Sequence, residues 1–208
     1  MFPLVESLKL KDGAIQNMNY HQSRLNSSMD ELFPTAGKID LRQVISIPEN
    51  CKSGIFKVRV VYGQTIDKIE IKPYHYRSIQ SLKVVTHDSI EYHLKYTDRK
   101  ILQDLYAQRA NCDDIIIVKN GFVTDSFAAN LLFFDGRRWF TPSTPLLKGT
   151  KRQLLLDQRI IFEKEIRKEN IKNFQQIGLI NAMIDFEEMP VVSVKQIFKR
   201  NDQNSDAK

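Results

Sequence analysis

Cysteine is scarce in this chain of 208 residues: Cys51 and Cys112 are the only two. Two distant cysteines make neither a paired metal-binding spacing nor a disulfide framework, which fits a reducing compartment, and the cytoplasm is the expected location. Glycine is also sparing, at eight residues. None of them builds a Gly-rich dinucleotide fingerprint, a phosphate loop ending in Gly-Lys-Ser/Thr, or a Gly-x-Ser-x-Gly elbow. His21, His75, His87 and His93 have no metal-ligand spacing, and no His-Glu-x-x-His is present. Dinucleotide dehydrogenase, nucleotide triphosphatase, serine hydrolase and zinc enzyme all lose weight, and no metal is expected. Long apolar runs are missing, so no bilayer span is expected. Met1-Phe2-Pro3-Leu4-Val5-Glu6 offers no basic lead-in and no signal-peptide core.

What is present is enough hydrophobic residue, 42%, to bury a substantial core in one large domain or two small ones. The net charge of +6 is spread among acidic residues along the chain. That pattern reads as a solvated basic surface and is compatible with an anionic small molecule. Tyr74-His75-Tyr76-Arg77 interleaves aromatic and basic side chains, as a base-stacking platform does. Without an RNA-binding motif it reads better as a linker packed on its neighbours, and no nucleic-acid partner is expected.

Taken in order, Val5 to Lys11 and Ala14 to Met18 read as a hairpin across Asp12-Gly13. Leu25, Met29, Leu32 and Phe33 mark a helix, and Asp40 to Ile45 a second short one. Residues 53–63 and 67–72 read as antiparallel strands. Pro73 to Gln80 suggests a boundary, giving a small N-terminal α/β domain over residues 1–78 and a larger one over 79–198 that carries Lys95, with a disordered tail at 199–208. In the second part, Ser81 to Thr86 reads as a strand and Asp98 to Asn111 as a helix capped by Thr97 or Asp98. Hairpins are expected across Asn120-Gly121 and Asp135-Gly136. A helix is expected from Thr150 through Ile166, another over Gln175 to Phe186, and a last strand at Val191 to Val194. The class is α/β, verging on α+β.

Against this background three features stand in order: Lys95 just before a helix, Asp125 at the end of a hairpin, and Gly149-Thr150 opening a helix. Pyridoxal phosphate needs an amine for its aldehyde, a carboxylate for its ring nitrogen, and backbone amides with a fixed cation for its phosphate. Lys95, Asp125, the Thr150 and Lys151 amides, and Arg24 could supply these. Each also has an ordinary reading, as a surface lysine, a turn carboxylate and a simple helix cap.

The order of motifs resembles the class IV aminotransferases, the fold-type IV pyridoxal-phosphate enzymes. His21-Gln22-Ser23-Arg24-Leu25 is similar to the family's His-x-x-Arg-Leu, and Lys95-Tyr96-Thr97-Asp98-Arg99 to its lysine segment. Val123-Thr124-Asp125, followed by Asn130-Leu131-Leu132-Phe133, resembles Val-Thr-Glu followed by Asn-Leu-Phe. Thr141-Pro142 and Gly149-Thr150-Lys151-Arg152 complete the pattern. The resemblance implies a two-domain, D-amino-acid aminotransferase-like fold with a shortened N-terminal domain, the cofactor in the cleft, and a homodimer. It implies that Lys95 is the Schiff-base lysine and then the acid–base group, with Asp125 facing the ring nitrogen. Arg24, the amides after Gly149, and the Thr150 hydroxyl would hold the phosphate, with Lys151 as an added cation. Asp125 stands where the family carries Glu, one methylene shorter.

Ala128-Ala129-Asn130 and Arg152-Gln153 resemble the aminodeoxychorismate lyases most. The implied substrate is a small anionic molecule bearing an amino group, 4-amino-4-deoxychorismate, cleaved to 4-aminobenzoate and pyruvate for folate synthesis. Transamination of a branched-chain or D-amino acid with 2-oxoglutarate uses the same residues and remains open. So does a non-catalytic member that binds cofactor or a partner.

Overall fold

The computed structural model describes residues 3–197. They form two compact units. The first holds the described residues up to Tyr76 together with Leu94–Asp98, and the second holds Arg77–His93 and the described residues from Arg99 onward.

In the first unit, β1 (Leu4–Lys11) and β2 (Ala14–Ile15) are followed by α1 (Met18–Leu32), α2 (Leu41–Val44), β3 (Ile55–Tyr62) and β4 (Ile66–Pro73). The strands make one antiparallel sheet in the order β2-β1-β3-β4. The β1–β2 turn places Asp12 at φ 49° and Gly13 at φ 80°, the paired left-handed conformation of a two-residue hairpin. Leu4, Leu8 and Leu10 alternate onto the face of β1 shared with Val58, Val60 and Tyr62 of β3. There they form a core with Leu25 and Met29 of α1 and Leu41 of α2. Glu6 lies on that same apolar face, opposite Val60.

Leu94–Asp98 runs along the outer edge of β1. The Val5 N–H donates to the Lys95 carbonyl at 2.9 Å, Leu4 forms a bridge with Tyr96, and the Thr97 N–H reaches the Pro3 carbonyl at 2.8 Å. These backbone bonds place Lys95 in the first unit. The sequence reading put it in a domain beginning at residue 79.

In the second unit, β5 (Leu82–Thr86) pairs in parallel with β6 (Asp114–Lys119), and α3 (Lys100–Ala107) lies between them in the chain. Asn120 at φ 51° and Gly121 at φ 82° turn β6 back into β7 (Phe122–Val123). The remaining strands are β8 (Asn130–Phe134), β9 (Trp139–Pro142), β10 (Ile161–Lys164), β11 (Gln176–Ile180) and β12 (Val191–Ser193). They form a five-stranded sheet in the order β10-β9-β8-β11-β12, with β10 parallel to β9 and α4 (Thr150–Asp157) in the crossover. Leu131, Phe133, Ile177, Leu179 and Val192 of that sheet share a core with Ile116 and Val118 of β6. The class is mixed α/β.

Three elements differ from the sequence reading. The helix opened by Thr150 stops at Asp157, because Arg159 takes φ 57°. The Arg159 N–H then bonds the Leu156 carbonyl at 2.9 Å and the Ile160 N–H bonds that of Leu155 at 3.0 Å, a Schellman ending that turns Ile161 into β10. Gln176–Ile180 is a strand inside the sheet, with Ile177 to Ile180 all buried. Helix α3 starts at Lys100 with Arg99 in the capping position, and the Thr97 hydroxyl donates to the Pro3 carbonyl at 3.0 Å. The tail read over 199–208 lies outside the described residues.

Candidate active site

Two clusters of polar side chains stand out, one in each unit. In the first, Glu6 of β1 is completely buried. Its Oε1 accepts from Arg24 Nε at 2.8 Å, and its Oε2 accepts from Arg24 Nη2 at 2.6 Å. His21 Nδ1 lies 2.6 Å from the same Oε2. His21 and Arg24 are three apart on α1, so both descend from one helical face onto the strand. Burial alone would raise the Glu6 pKa. The Arg24 charge and the hydrogen bonds from His21 and Arg24 outweigh it and hold the carboxyl at about 2. Burial pushes His21 below its ordinary value, opposed by Glu6 and reinforced by the charges of Arg24 and Lys95. A neutral His21 facing a carboxylate must carry its proton on Nδ1 and donate it.

In the second unit, Asp125 is buried directly after β7 and faces Asn130 across an isolated β-bridge. Its Oδ1 accepts from Asn130 Nδ2 at 2.6 Å and its Oδ2 from the Leu147 N–H at 2.9 Å. Asn130 Nδ2 also donates to the Leu147 carbonyl at 2.9 Å. Gly149 is required beside this pair: a Cβ there would fall 2.0 Å from Asn130 Oδ1. Gly149 is also the N-cap of α4 and offers no side chain to the first amides of the helix, whose opening turn contains no acidic residue. The first N–H groups of a helix point outward at the positive end of its dipole, a setting that suits an anion. Thr150, Lys151 and Arg152 are all buried.

The two basic residues there have different surroundings. Lys151 Nζ lies 3.6 Å from Asp185 Oδ1. Arg152 is a strut: its Nε donates to Thr141 Oγ1 at 3.2 Å, and its Nη2 to the Pro142 carbonyl at 3.0 Å and to Glu163 at 2.5 Å. It thereby ties α4 to β9 and β10.

The structure therefore groups Arg24 with Lys95 in the first unit, and Asp125 with Gly149, Thr150 and Lys151 in the second. Sequence reasoning missed Glu6, Asn130 and Asp185 as partners. Glu6 did carry a signal, a charge at an even position among Leu4, Leu8 and Leu10. Asn130 and Asp185 carried none, because their roles arise from close approach in the fold.

The chemical types of these donors fit pyridoxal phosphate. Burial raises the Asp125 pKa to about 6, against the lowering effects of the Leu147 amide, the Asn130 side chain and the Arg152 charge. Asn130 donates to one Asp125 oxygen and the Leu147 amide to the other. A further cationic donor, which a protonated pyridine nitrogen is, would favour the ionised form against the burial. The glycine-capped N-terminus of α4 meets the need of a phosphate, and the amine of half-buried Lys95 that of an aldehyde. Among the described residues no helix is long and apolar enough to cross a membrane.

Comparison with known proteins agrees with this chemistry. The model of the amino-transferase class IV family matches residues 3–197. An uncharacterised protein of Haemophilus influenzae is 42% identical over 185 residues, covering 88% of this chain and 98% of that protein. A candidate aminodeoxychorismate lyase of Schizosaccharomyces pombe is 35% identical over 82 residues, 36% of each chain. The crystal structure of a candidate 4-amino-4-deoxychorismate lyase from Haemophilus somnus has a TM-score of 0.84 and 34% identity, covering 88% of this chain and 97% of that one. A hypothetical aminotransferase from Mycobacterium tuberculosis in its PLP-bound form shares the fold, with a TM-score of 0.74 at 16% identity over 94% of this chain and 83% of that one.

Proposed function

Since the chain belongs to the amino-transferase class IV family of pyridoxal-phosphate enzymes, we propose that it is a lyase converting 4-amino-4-deoxychorismate to 4-aminobenzoate and pyruvate, in the cytoplasm and toward folate. The observation that carries this reading is the likeness to the Haemophilus somnus candidate lyase, which spans 97% of that chain at 34% identity. The turn leaving Asp125 supports it. Its Ala128-Ala129-Asn130 run resembles the aminodeoxychorismate lyases.

Bound pyridoxal phosphate supplies an electron sink for the carbon that bears the substrate's amino group. Lys95 would hold the cofactor covalently through Nζ and, once released by the substrate amine, move a proton at that carbon. Asp125, kept in place by Asn130 and the Leu147 amide, would hold a proton on the ring nitrogen. The Thr150 and Lys151 amides, the Thr150 hydroxyl and Arg24 would bind the phosphate, with Gly149 giving room for the approach. Lys151 would add positive charge, moderated by Asp185. A homodimer is part of the proposal and is checked by light scattering on the purified protein.

The experiment is a product assay on the cofactor-loaded enzyme. Pyruvate and 4-aminobenzoate formed from 4-amino-4-deoxychorismate establish the lyase. Glutamate formed from an amino acid and 2-oxoglutarate, without 4-aminobenzoate, replaces it with a transaminase. Protein that takes up no pyridoxal phosphate overturns both.

A further inference from the structure

We propose that Glu6 is a positioning residue for phosphate recognition, fixing from inside β1 the guanidinium of Arg24 that grips the cofactor's phosphate. This rests on the reading of Arg24 as a phosphate ligand.

Glu6 stands where the strand pattern calls for an aliphatic residue. Its neighbours on that face are Leu4, Leu8 and Leu10, and its side chain is completely buried. Taking a carboxylate out of water is costly, and ion pairing repays that only in part, so a well-packed aliphatic residue would serve stability equally well. A need for packing therefore does not account for Glu6. What the carboxylate adds is direction. It accepts from both Nε and Nη2 of Arg24, at 2.8 and 2.6 Å. A planar guanidinium held along one edge has its plane and rotation set, and a phosphate would be met by the Nη1–Nη2 edge. His21, one turn earlier on α1, braces the same oxygen at 2.6 Å and resists rotation of the carboxylate.

The position of Glu6 in the strand extends the argument. Its chain neighbour Val5 holds the Lys95 carbonyl through a backbone bond of 2.9 Å. Consecutive residues of β1 thus set the backbone of the anchoring lysine and the head group of the phosphate-binding arginine in one rigid frame. An arginine left to rotate would lose side-chain entropy on gripping an anion; one already clamped has met that cost in folding.

The test compares pyridoxal phosphate with pyridoxal, which has the same aldehyde and ring but no phosphate. Both are titrated by absorbance into cofactor-free wild-type, Glu6→Gln, Glu6→Asp and Arg24→Gln proteins, with thermal melting followed on the same samples. In Glu6→Gln the preference for pyridoxal phosphate over pyridoxal should fall about tenfold or more, with pyridoxal affinity changing far less. Glu6→Asp, which keeps the charge but withdraws it by one methylene, should lose less. A merely structural role would weaken both compounds together and leave the ratio at the wild-type value. A wild-type ratio in either folded Glu6 variant, beside a lowered ratio in Arg24→Gln, overturns the proposal. A wild-type ratio in Arg24→Gln overturns the phosphate reading of Arg24 itself.

Discussion

Asn130 donates its side-chain amide to Asp125 Oδ1 at 2.6 Å across an isolated β-bridge, while its own Oδ1 occupies the space that a Cβ on Gly149 would need. One amide thus couples the carboxylate proposed for the ring nitrogen to the glycine that opens the proposed phosphate site. The two functions share a side chain, so a change at either end is felt at the other.

Replacing Gly149 with Ala would place a methyl 2.0 Å from Asn130 Oδ1 and force Asn130 to give up its bonds to Asp125 and Leu147. The expected cost is about 1–3 kcal/mol of stability. Weaker pyridoxal-phosphate binding should accompany it. Melting and cofactor titration of the variant measure both, and an unchanged melting temperature would show that Asn130 yields freely.

Lys95→Ala removes the proposed anchor and acid–base group together. Turnover should be abolished, and borohydride treatment of the cofactor-loaded protein should leave no covalent label in the Lys95 peptide by mass spectrometry. Activity near that of the wild type would refute the assignment.

Asp125→Asn should retain cofactor, bound more weakly, because the anchoring lysine is untouched while Asn130, shared with the proposed phosphate site, loses its carboxylate partner. Its rate should fall by roughly 10²-fold or more, the scale of losing one preorganised electrostatic group at a reacting centre. An unchanged rate would mean that Asp125 does not face the ring nitrogen.

The same carboxyl predicts a pH dependence. Its pKa is raised in the folded protein to about 6, from 3.8 when solvated. The unfolded chain therefore ionises first, and the folded state loses stability as pH rises between those values. The full penalty, about 3 kcal/mol, is reached above the folded value. Urea unfolding of the cofactor-free protein should show wild type losing about that much relative to Asp125→Asn between about pH 4 and pH 7. A flat difference would show that the carboxyl is not desolvated.

Arg152→Gln should cost about 1–3 kcal/mol, because it strips the bonds to Thr141 and Pro142 inside the protein as well as the Glu163 pair. Glu163→Gln should cost less, because the Gln carbonyl oxygen can still accept from Arg152 and the bonds to Thr141 and Pro142 remain. Urea unfolding of the two variants separates a strut from a surface pair; equal effects would contradict it.

Local signals were legible wherever chemistry within a few residues decides the backbone. Asp12-Gly13 and Asn120-Gly121 announced their hairpins because both residues of each turn must take positive φ. Strand β11 was misread because Ile177-Gly178-Leu179-Ile180 is buried on both faces between β8 and β12, and an uninterrupted apolar run has no period to distinguish strand from helix. The end of α4 was misread because Arg159 adopts a left-handed conformation that its residue type does not favour. Among the candidate site residues, Arg24, Lys95, Asp125 and Gly149 were visible through the order of their motifs. Their partners Asn130 and Asp185 were not, since nothing local marks an amide or a carboxylate that acquires its role by packing.

The sequence by itself determined the two tight hairpins, the starting point of α4 and the chemical inventory of amine, carboxylate and guanidinium, because these follow from residue types and short-range backbone preference. Only the tertiary structure decided that Lys95 lies along β1 and that Glu6 clamps Arg24 and His21. Those bonds join residues 15 and 18 positions apart, on a strand and a helix. They exist because the apolar faces of β1 and α1 pack together and leave the buried carboxylate no solvent to turn to.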